Sequence, residues 1–211
     1  PPGYVYRKGT QGNAAGAGWG ALLLPFLDQA AVYHALSFES PLYSPANQLA
    51  RVVRLQVFLC PSDTVSGSGF VEMGDLPEQY AMGSYVGSFG PPDLDESPEQ
   101  RAGLFSRNSS VSLAEIGDGT SNTLMVGERE NGPFRRGGSH GNHFQYETTW
   151  VGAVRDAQDP ADDHGHMALF QTGHVPNHPL SDDRDVSAPH TGYANFLFAD
   201  GHVRPVSESV D

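Results

Sequence analysis

The segment Ala194-Asn195-Phe196-Leu197-Phe198-Ala199-Asp200-Gly201-His202-Val203-Arg204-Pro205-Val206 carries the clearest structural signal in the chain. Two runs rich in aromatic and β-branched residues flank Asp200-Gly201, a dipeptide that favours a two-residue hairpin turn. Pairing across that turn sets Phe198 opposite Val203 and Phe196 opposite Pro205 on an apolar side, with Leu197 opposite Arg204 on the other. Pro205 has no amide hydrogen to give to a ladder, so its strand is expected at a sheet edge or to end early.

Working outward, Ser84 to Phe89, Thr123 to Glu128 and Trp150 to Val154 read as further strands, and Val52 to Leu59 as a short strand ending at Pro61. Pro25 followed by apolar positions at helical spacing through Leu36 predicts one helix of about three turns. Ser112-Leu113-Ala114-Glu115 fits a capping box, with Gly117 where such a turn would stop. Between these elements lie long stretches rich in glycine, proline and acid: Pro91 to Glu99, Asn131 to Asn142, Asp156 to His166 and Pro176 to Pro189. Connections of that length point to functional loops or surface insertions. With no internal repeat and no interdomain linker, the expectation is one α+β domain over residues 1–211, helix first and mostly antiparallel strands later.

The chain of 211 residues is 38% hydrophobic, enough to bury a core. Twelve basic residues against twenty-five acidic ones give a net charge of -13. That balance repels phosphate backbones, and no basic run relieves it, so nucleic acid is excluded as an expected partner. The acidity either attracts divalent cations or simply solvates the surface. The longest apolar stretch, Ala21 to Leu27, contains Pro25 and falls short of the roughly 20 residues that cross a bilayer. A start at Pro1-Pro2-Gly3 without Met implies that a segment upstream has been removed. A lone Cys60 cannot form an internal disulfide, and its setting in Phe58-Leu59-Cys60-Pro61 reads as a buried strand end without a catalytic signature.

Few patterns carry chemistry. His140/His143 and His164/His166, the latter beside Asp162 and Asp163, invite a metal reading, yet no pair of histidines one helical turn apart encloses a glutamate. Gly67-Ser68-Gly69 is loop chemistry, no nucleophile elbow opens a strand-to-helix turn, and the glycine-rich phosphate loops are absent. The carboxylate pairs Asp93/Asp95 and Asp182/Asp183 lie in polar loops. The spacing that stands out is His190, nine residues, then Asp200-Gly201. Functionally, the imidazole folds back onto Asp200, or both join carboxylates such as Glu128 around a cation. Structurally, Asp200 supplies the turn and His190 pins the strand entry.

Together these segments resemble a family of exported prepilin-like proteins of the planctomycete type, which carry a domain of unknown function (1559) and a C-terminal His-x9-Asp-Gly signature. The matching segments are Pro1-Pro2-Gly3-Tyr4, Gly18 to Gln29 (GWGALLLPFLDQ), Phe58-Leu59-Cys60-Pro61-Ser62-Asp63, Ser84-Tyr85-Val86-Gly87, Asp118-Gly119-Thr120-Ser121-Asn122-Thr123 through Gly127-Glu128, Trp150-Val151-Gly152-Ala153, and His190 through Gly201. They run in the family's order over nearly the whole chain. Departures are His202, where a small polar residue is usual, and the histidine-rich loops.

The resemblance implies a pilin-like head, an antiparallel sheet with short helices and long loops, normally packed on an N-terminal helix that lies outside this sequence. That helix would carry the prepilin-type methylation site, hold the precursor in the membrane, and later pack in a filament core. The expected function is therefore structural: the head of a type IV pilin-like or pseudopilin-like subunit of an extracellular filament or secretion-type pseudopilus, not an enzyme. Its expected partners are copies of itself or other filament subunits. Its expected place is outside the cytoplasm, at the cell surface, in a filament or in a periplasm-like compartment. An alternative is an exported binding module holding calcium or another ligand through Asp118, Glu128 and Asp200, with calcium the cofactor such a module would take. An exported metal-dependent hydrolase is the third reading.

Overall fold

The computed structural model describes residues 1–9, 12–63, 69–72, 76–91, 93–100, 102–134, 145–156 and 163–210. The chain enters through a strand pair outside the expected set, β1 (Tyr4–Gly9) and β2 (Gly12–Gly18), which pair antiparallel. β2 runs directly into α1 (Trp19–Leu23), a 3-10 turn over Leu24–Phe26, and α2 (Ala30–Ala35). The expected single helix from Pro25 to Leu36 is thus broken. Asp28 sits in the left-handed region with φ 57, a conformation that a short polar side chain tolerates and a helix interior excludes. The amides of Leu27 and Gln29 both close back onto Leu24 O, at 3.1 and 3.0 Å, which tightens the turn. Phe26, apolar and at helical spacing, is 82% exposed.

Val52 to Leu59 is likewise not a strand but a 3-10 turn over Gln56–Phe58 between extended flanks. Its backbone bonds sideways: Ser84 N donates to Phe58 O at 2.8 Å and the Trp150 indole to Val53 O at 3.1 Å. Small antiparallel pairs follow, β3 (Phe70–Glu72) with β4 (Gln79–Ala81). The central sheet then takes β5 (Tyr85–Gly90) and β6 (Leu124–Glu128), both expected. The capping box at Ser112 and Glu115 forms as read, over the single turn Leu113–Glu115.

The pairs β7 (Gly132–Pro133) with β8 (Gln145–Tyr146), and β9 (Val154–Arg155) with β10 (Asp163–His164), come next. Only the end of the expected strand Trp150 to Val154 is therefore a strand. Ahead of it, Gly152 presses against β2, where a Cβ would lie 2.3 Å from Gly16 O, so only glycine permits the approach. The chain ends in β11 (Leu169–Gln171), β12 (Tyr193–Phe198) and β13 (Val203–Ser207).

The five-stranded sheet has the order β11-β5-β6-β12-β13, parallel between β11 and β5 and antiparallel elsewhere. With short helices and mostly small antiparallel sheets, the fold is α+β as expected. No helix of the described residues is long and apolar enough to cross a membrane.

One face of the sheet carries Val86, Phe170, Ala194, Phe196 and Phe198, packed under Val186 and Ala188. The other joins a larger cluster built around Trp19, Phe58, Phe105 and Trp150. Phe58 stacks on Trp150 at 5.8 Å and 9°, and meets Trp19 edge-on at 6.2 Å.

The β12–β13 hairpin forms where expected but one residue out of the expected register. Phe196 lies opposite Arg204, Leu197 opposite Val203 and Asn195 opposite Pro205. A two-residue type I′ turn needs positive φ at both central residues. Here Gly201 has φ 91 and Asp200 is not among the positive-φ residues. The turn closes as a three-residue loop, with Phe198 N donating to His202 O and Gly201 N to Phe198 O, both at 2.9 Å. The slip places the Arg204 guanidinium over the Phe198 ring at 4.0 Å, and Pro205 stays on the edge strand as expected.

Arg129, immediately after β6, is fully buried. Its guanidinium donates to three carbonyls, Nε to Asp185 O at 2.7 Å, Nη2 to Leu169 O at 2.9 Å, and Nη1 to His166 O. Burial lowers its pKa to about 10, and Asp183 and Asp185 oppose that fall. Removing the side chain strands three buried carbonyls. Arg129→Ala is expected to cost about 3–5 kcal/mol in urea denaturation. Arg129→Lys, which cannot span all three acceptors, is expected to recover only part of that loss.

Candidate functional site

Three segments far apart in sequence deliver Cys60, Glu128 and His190 to one place, their ligand atoms all within 4.8 Å of one another. Cys60 is fixed by the turn that follows the 56–58 helical turn, where Asp63 N donates to Cys60 O at 3.0 Å. The Asp63 carboxylate ties that turn to the sheet. Its Oδ2 accepts from Ser84 Oγ at 3.1 Å and from Asn131 N and Nδ2 at 3.1 and 3.0 Å.

Glu128 ends β6 opposite Tyr85 of β5. Its Oε2 accepts from Asn195 N at 2.9 Å and Asn195 Nδ2 at 3.0 Å, an amide fork supplied by β12. His190 sits just ahead of β12, its ring stacked on Tyr193 at 5.1 Å and 3°. Asn177, left-handed at φ 59, shapes this entry. Its Nδ2 donates to His190 O at 3.1 Å and Tyr193 O at 3.2 Å, and its Oδ1 accepts from Ala188 N at 2.8 Å.

His190 Nε2 faces Glu128 Oε2 at 3.4 Å and Cys60 Sγ at 3.9 Å. Both contacts therefore fall on one ring nitrogen. A thiol relay needs the acid on the opposite nitrogen, so that the ring passes a proton between its two sides. Here three potential ligand atoms lie within 4.8 Å of one another instead. Burial, with the charges of Cys60 and Glu128 next in weight, raises the phenol of the adjoining Tyr85 above its usual range.

Among the residues singled out from sequence, Glu128 and His190 meet, and Asp118 and Asp200 are not gathered with them. Glu128 pairs with Asn195 at one end of β12, while Asp200 lies beyond the other end, roughly 15 Å away at the rise of a strand. Asp200 serves its turn: its Oδ1 accepts from His202 N at 3.1 Å and pairs with the His202 ring. That backbone hydrogen bond leads the causes that lower its pKa. Asp118 is exposed, in the turn where Asn122 Nδ2 donates to its carbonyl at 3.1 Å. Gly201 supplies the positive φ that closes the hairpin. Cys60 and the organising amides Asn177 and Asn195 were not among the expected site residues, and no local signal marks them.

The other singled-out polar groups are tied into structural pairs. Arg184 holds Asp182 at 2.8 Å and Asp93 at 3.0 Å. His166, buried, lies between Asp95 on Nδ1 and Asp183 on Nε2, each at 3.5 Å. His164 approaches Asp156 at 3.4 Å and packs against His166. Asp163 is buried under Tyr4 Oη at 2.7 Å and Arg107 at 2.8 Å. His140, His143, Asp162 and Gly67-Ser68 lie outside the described residues.

Cys60 of the Phe58–Asp63 segment, Glu128 of the Gly127-Glu128 segment and His190, which opens the His190–Gly201 segment, meet at one site. The chain belongs to the family described as protein of unknown function (DUF1559). The family model matches residues 1–211, the whole of the sequence. Comparison with curated proteins and with solved structures gave no match. The DUF1559 segments thus divide between two tasks: Trp19, Phe58 and Trp150 build the central core, and Cys60, Glu128 and His190 meet beside it.

The buried His166 gives this family member a pH-dependent element. Burial favours the neutral ring, but Asp183 and Asp95 together outweigh it and raise the pKa above 6.5. A raised folded-state pKa contributes stability that is complete below the unfolded value and is lost as pH rises through the folded one. The stability difference between wild type and His166→Gln, measured by denaturant titration across pH, is expected to be largest below about 6.5 and to shrink above it.

Proposed function

We propose that this DUF1559 chain is the head of a pilin-like or pseudopilin-like subunit, an exported structural protein that works by assembling rather than by catalysis. The observation that carries the reading is the uncovered face of the C-terminal hairpin. Directly opposed residues of an antiparallel pair share a face, so Leu197 and Val203, and Asn195 and Pro205, line one side together with Tyr193. Val203 is 64% exposed and Tyr193 37%, and β13 has a sheet partner on one side only among the described residues. An apolar face on an open sheet edge is a surface suited to another element or another subunit.

The prepilin-like resemblance says what would use it: an upstream apolar helix that holds the precursor in the membrane, then packs with its neighbours in a filament or pseudopilus. The placement of both site contacts on one nitrogen of His190 supports a role without nucleophilic catalysis. The alternative of an exported binding module is favoured by the gathering of Cys60, Glu128 and His190.

The test uses the protein isolated from its native source. An apolar N-terminal segment of about 20 residues with a methylated first residue, together with filaments or membrane-associated oligomers, is the expected outcome. Val203→Glu is expected to leave unfolding within about 0.5 kcal/mol of wild type while abolishing assembly seen by electron microscopy. Recovery of the native protein solely as a soluble monomer without the apolar segment would sink the reading.

A further inference from the structure

We infer that Cys60, Glu128 and His190 form a zinc site, with the Cys60 thiolate, one Glu128 carboxylate oxygen and His190 Nε2 as ligands. The distances around His190 are longer than a charge-assisted hydrogen bond. Charge-assisted hydrogen bonds between a ring nitrogen and a carboxylate run about 2.7–2.9 Å. His190 Nε2 stands 3.4 Å from Glu128 Oε2 and 3.9 Å from Cys60 Sγ. Around a tetrahedral zinc, bond lengths of about 2.3 Å to sulfur and about 2.0–2.1 Å to nitrogen and oxygen put the S···N edge near 3.6 Å and the N···O edge near 3.3 Å. The N···O separation of 3.4 Å matches, the S···N separation of 3.9 Å is slightly longer, and all three ligand atoms lie within 4.8 Å of one another.

The chemistry of the donors selects the metal. A thiol, an imidazole and a carboxylate are the set that zinc accepts, whereas calcium asks for six to eight oxygens. Charge balances as well: on binding, Cys60 gives its proton to solvent, and thiolate plus carboxylate offset the two positive charges beside a neutral imidazole. The thiol is the second pointer. Cys60 is 5% exposed, and among the described residues its sulfur has no hydrogen-bond contact but the long one to His190 Nε2.

The supporting shell is present on two of the ligands. Asn195 fixes the Glu128 carboxylate through two hydrogen bonds to Oε2, the oxygen that faces His190. Tyr193 and the Asn177 amide hold the His190 ring and backbone. Three protein ligands leave the fourth tetrahedral position to water or to a ligand from solution.

The experiment uses the full chain, reduced, stripped with chelator and re-dialysed against zinc. One zinc per chain by mass spectrometry is expected, with a rise in Tm on binding. Replacing zinc with cobalt should give a thiolate-to-cobalt charge-transfer band in the near ultraviolet, which reports Cys60 directly. Cys60→Ala and His190→Ala should lose zinc, and Cys60→Ser, which keeps the size of the side chain, should lose the band while circular dichroism shows the fold retained. Asn195→Ala, which removes one of the two donors to Glu128, should weaken zinc about 10–100-fold. Failure of the reduced wild type to take up zinc would overturn the assignment. So would zinc uptake by Cys60→Ala equal to wild type, which would place the metal elsewhere, for example beside His174 and His178.

Discussion

Strand β12 is the member on which the other arrangements depend. Its six residues bury Ala194, Phe196 and Phe198 on one side, and both of its ends are tied. At the entry, Asn195 grips Glu128 of the neighbouring strand while Asn177 holds the carbonyls of His190 and Tyr193. At the exit, Ala199 N donates to Thr123 O at 3.0 Å and Gly201 closes the turn. The spacing of nine residues between His190 and Asp200 is therefore a length. It is the distance needed for the imidazole to reach Cys60 and Glu128 at one end while the chain reverses at the other. A one-residue insertion ahead of Phe196 would turn both buried phenylalanines of the strand to the opposite face.

The polar interior rests on the same sheet. Arg129 directly follows Glu128, so the register that places the carboxylate beside His190 also drives the guanidinium inward to three carbonyls. Those carbonyls belong to the turn before β11, to β11 itself, and to the loop that carries Asp183 and Asp185. A charge so deeply buried is tolerated only with full hydrogen bonding, and the long acid-rich loops supply the acceptors and the compensating carboxylates. Some of the acidity that reads from the sequence as a solvated surface is, at Asp163, Asp183 and Asp185, part of the interior.

What the sequence made legible follows from the range of the interactions involved. β5, β6, the C-terminal hairpin and the capping box depend on neighbours in sequence, and their residues announce them. The hairpin register was missed by one residue because Asp-Gly is compatible with a two-residue and with a three-residue loop, and the choice between them lies in one φ at Asp200. The helix over 25–36 and the strand over 52–59 failed for another reason. Tertiary partners, among them Ser84, claim the backbone of the second, and the left-handed Asp28 divides the first. Of the site, Glu128 and His190 were legible as chemistry-bearing residues in recurring segments. Cys60 was not, because a single cysteine without a local signature is indistinguishable from a small buried hydrophobe until its neighbours from other segments are known. Asp118 and Asp200 drew attention as oxygen donors for the same residue type that makes them good turn formers.

On the assembly reading proposed above, the lone cysteine also bears on how the chain would be held together outside the cytoplasm. Domains of exported proteins commonly close their long loops with disulfides, which a chain with one cysteine cannot do internally. A metal held by Cys60, Glu128 and His190 would join three distant segments at once, including the strand entry that sets the hairpin. Its binding free energy would act as folding free energy, because the unfolded chain brings no such set of ligands together. The assembly reading and the zinc site are then complementary: the metal would fix the entry of β12, and the open face of the hairpin that β12 begins carries Tyr193 and Asn195, which touch His190 and Glu128. Loss of the metal would be felt first in the ordering of that hairpin, since residues 188–192, which lead into β12, owe their position to His190 and Asn177 rather than to sheet pairing.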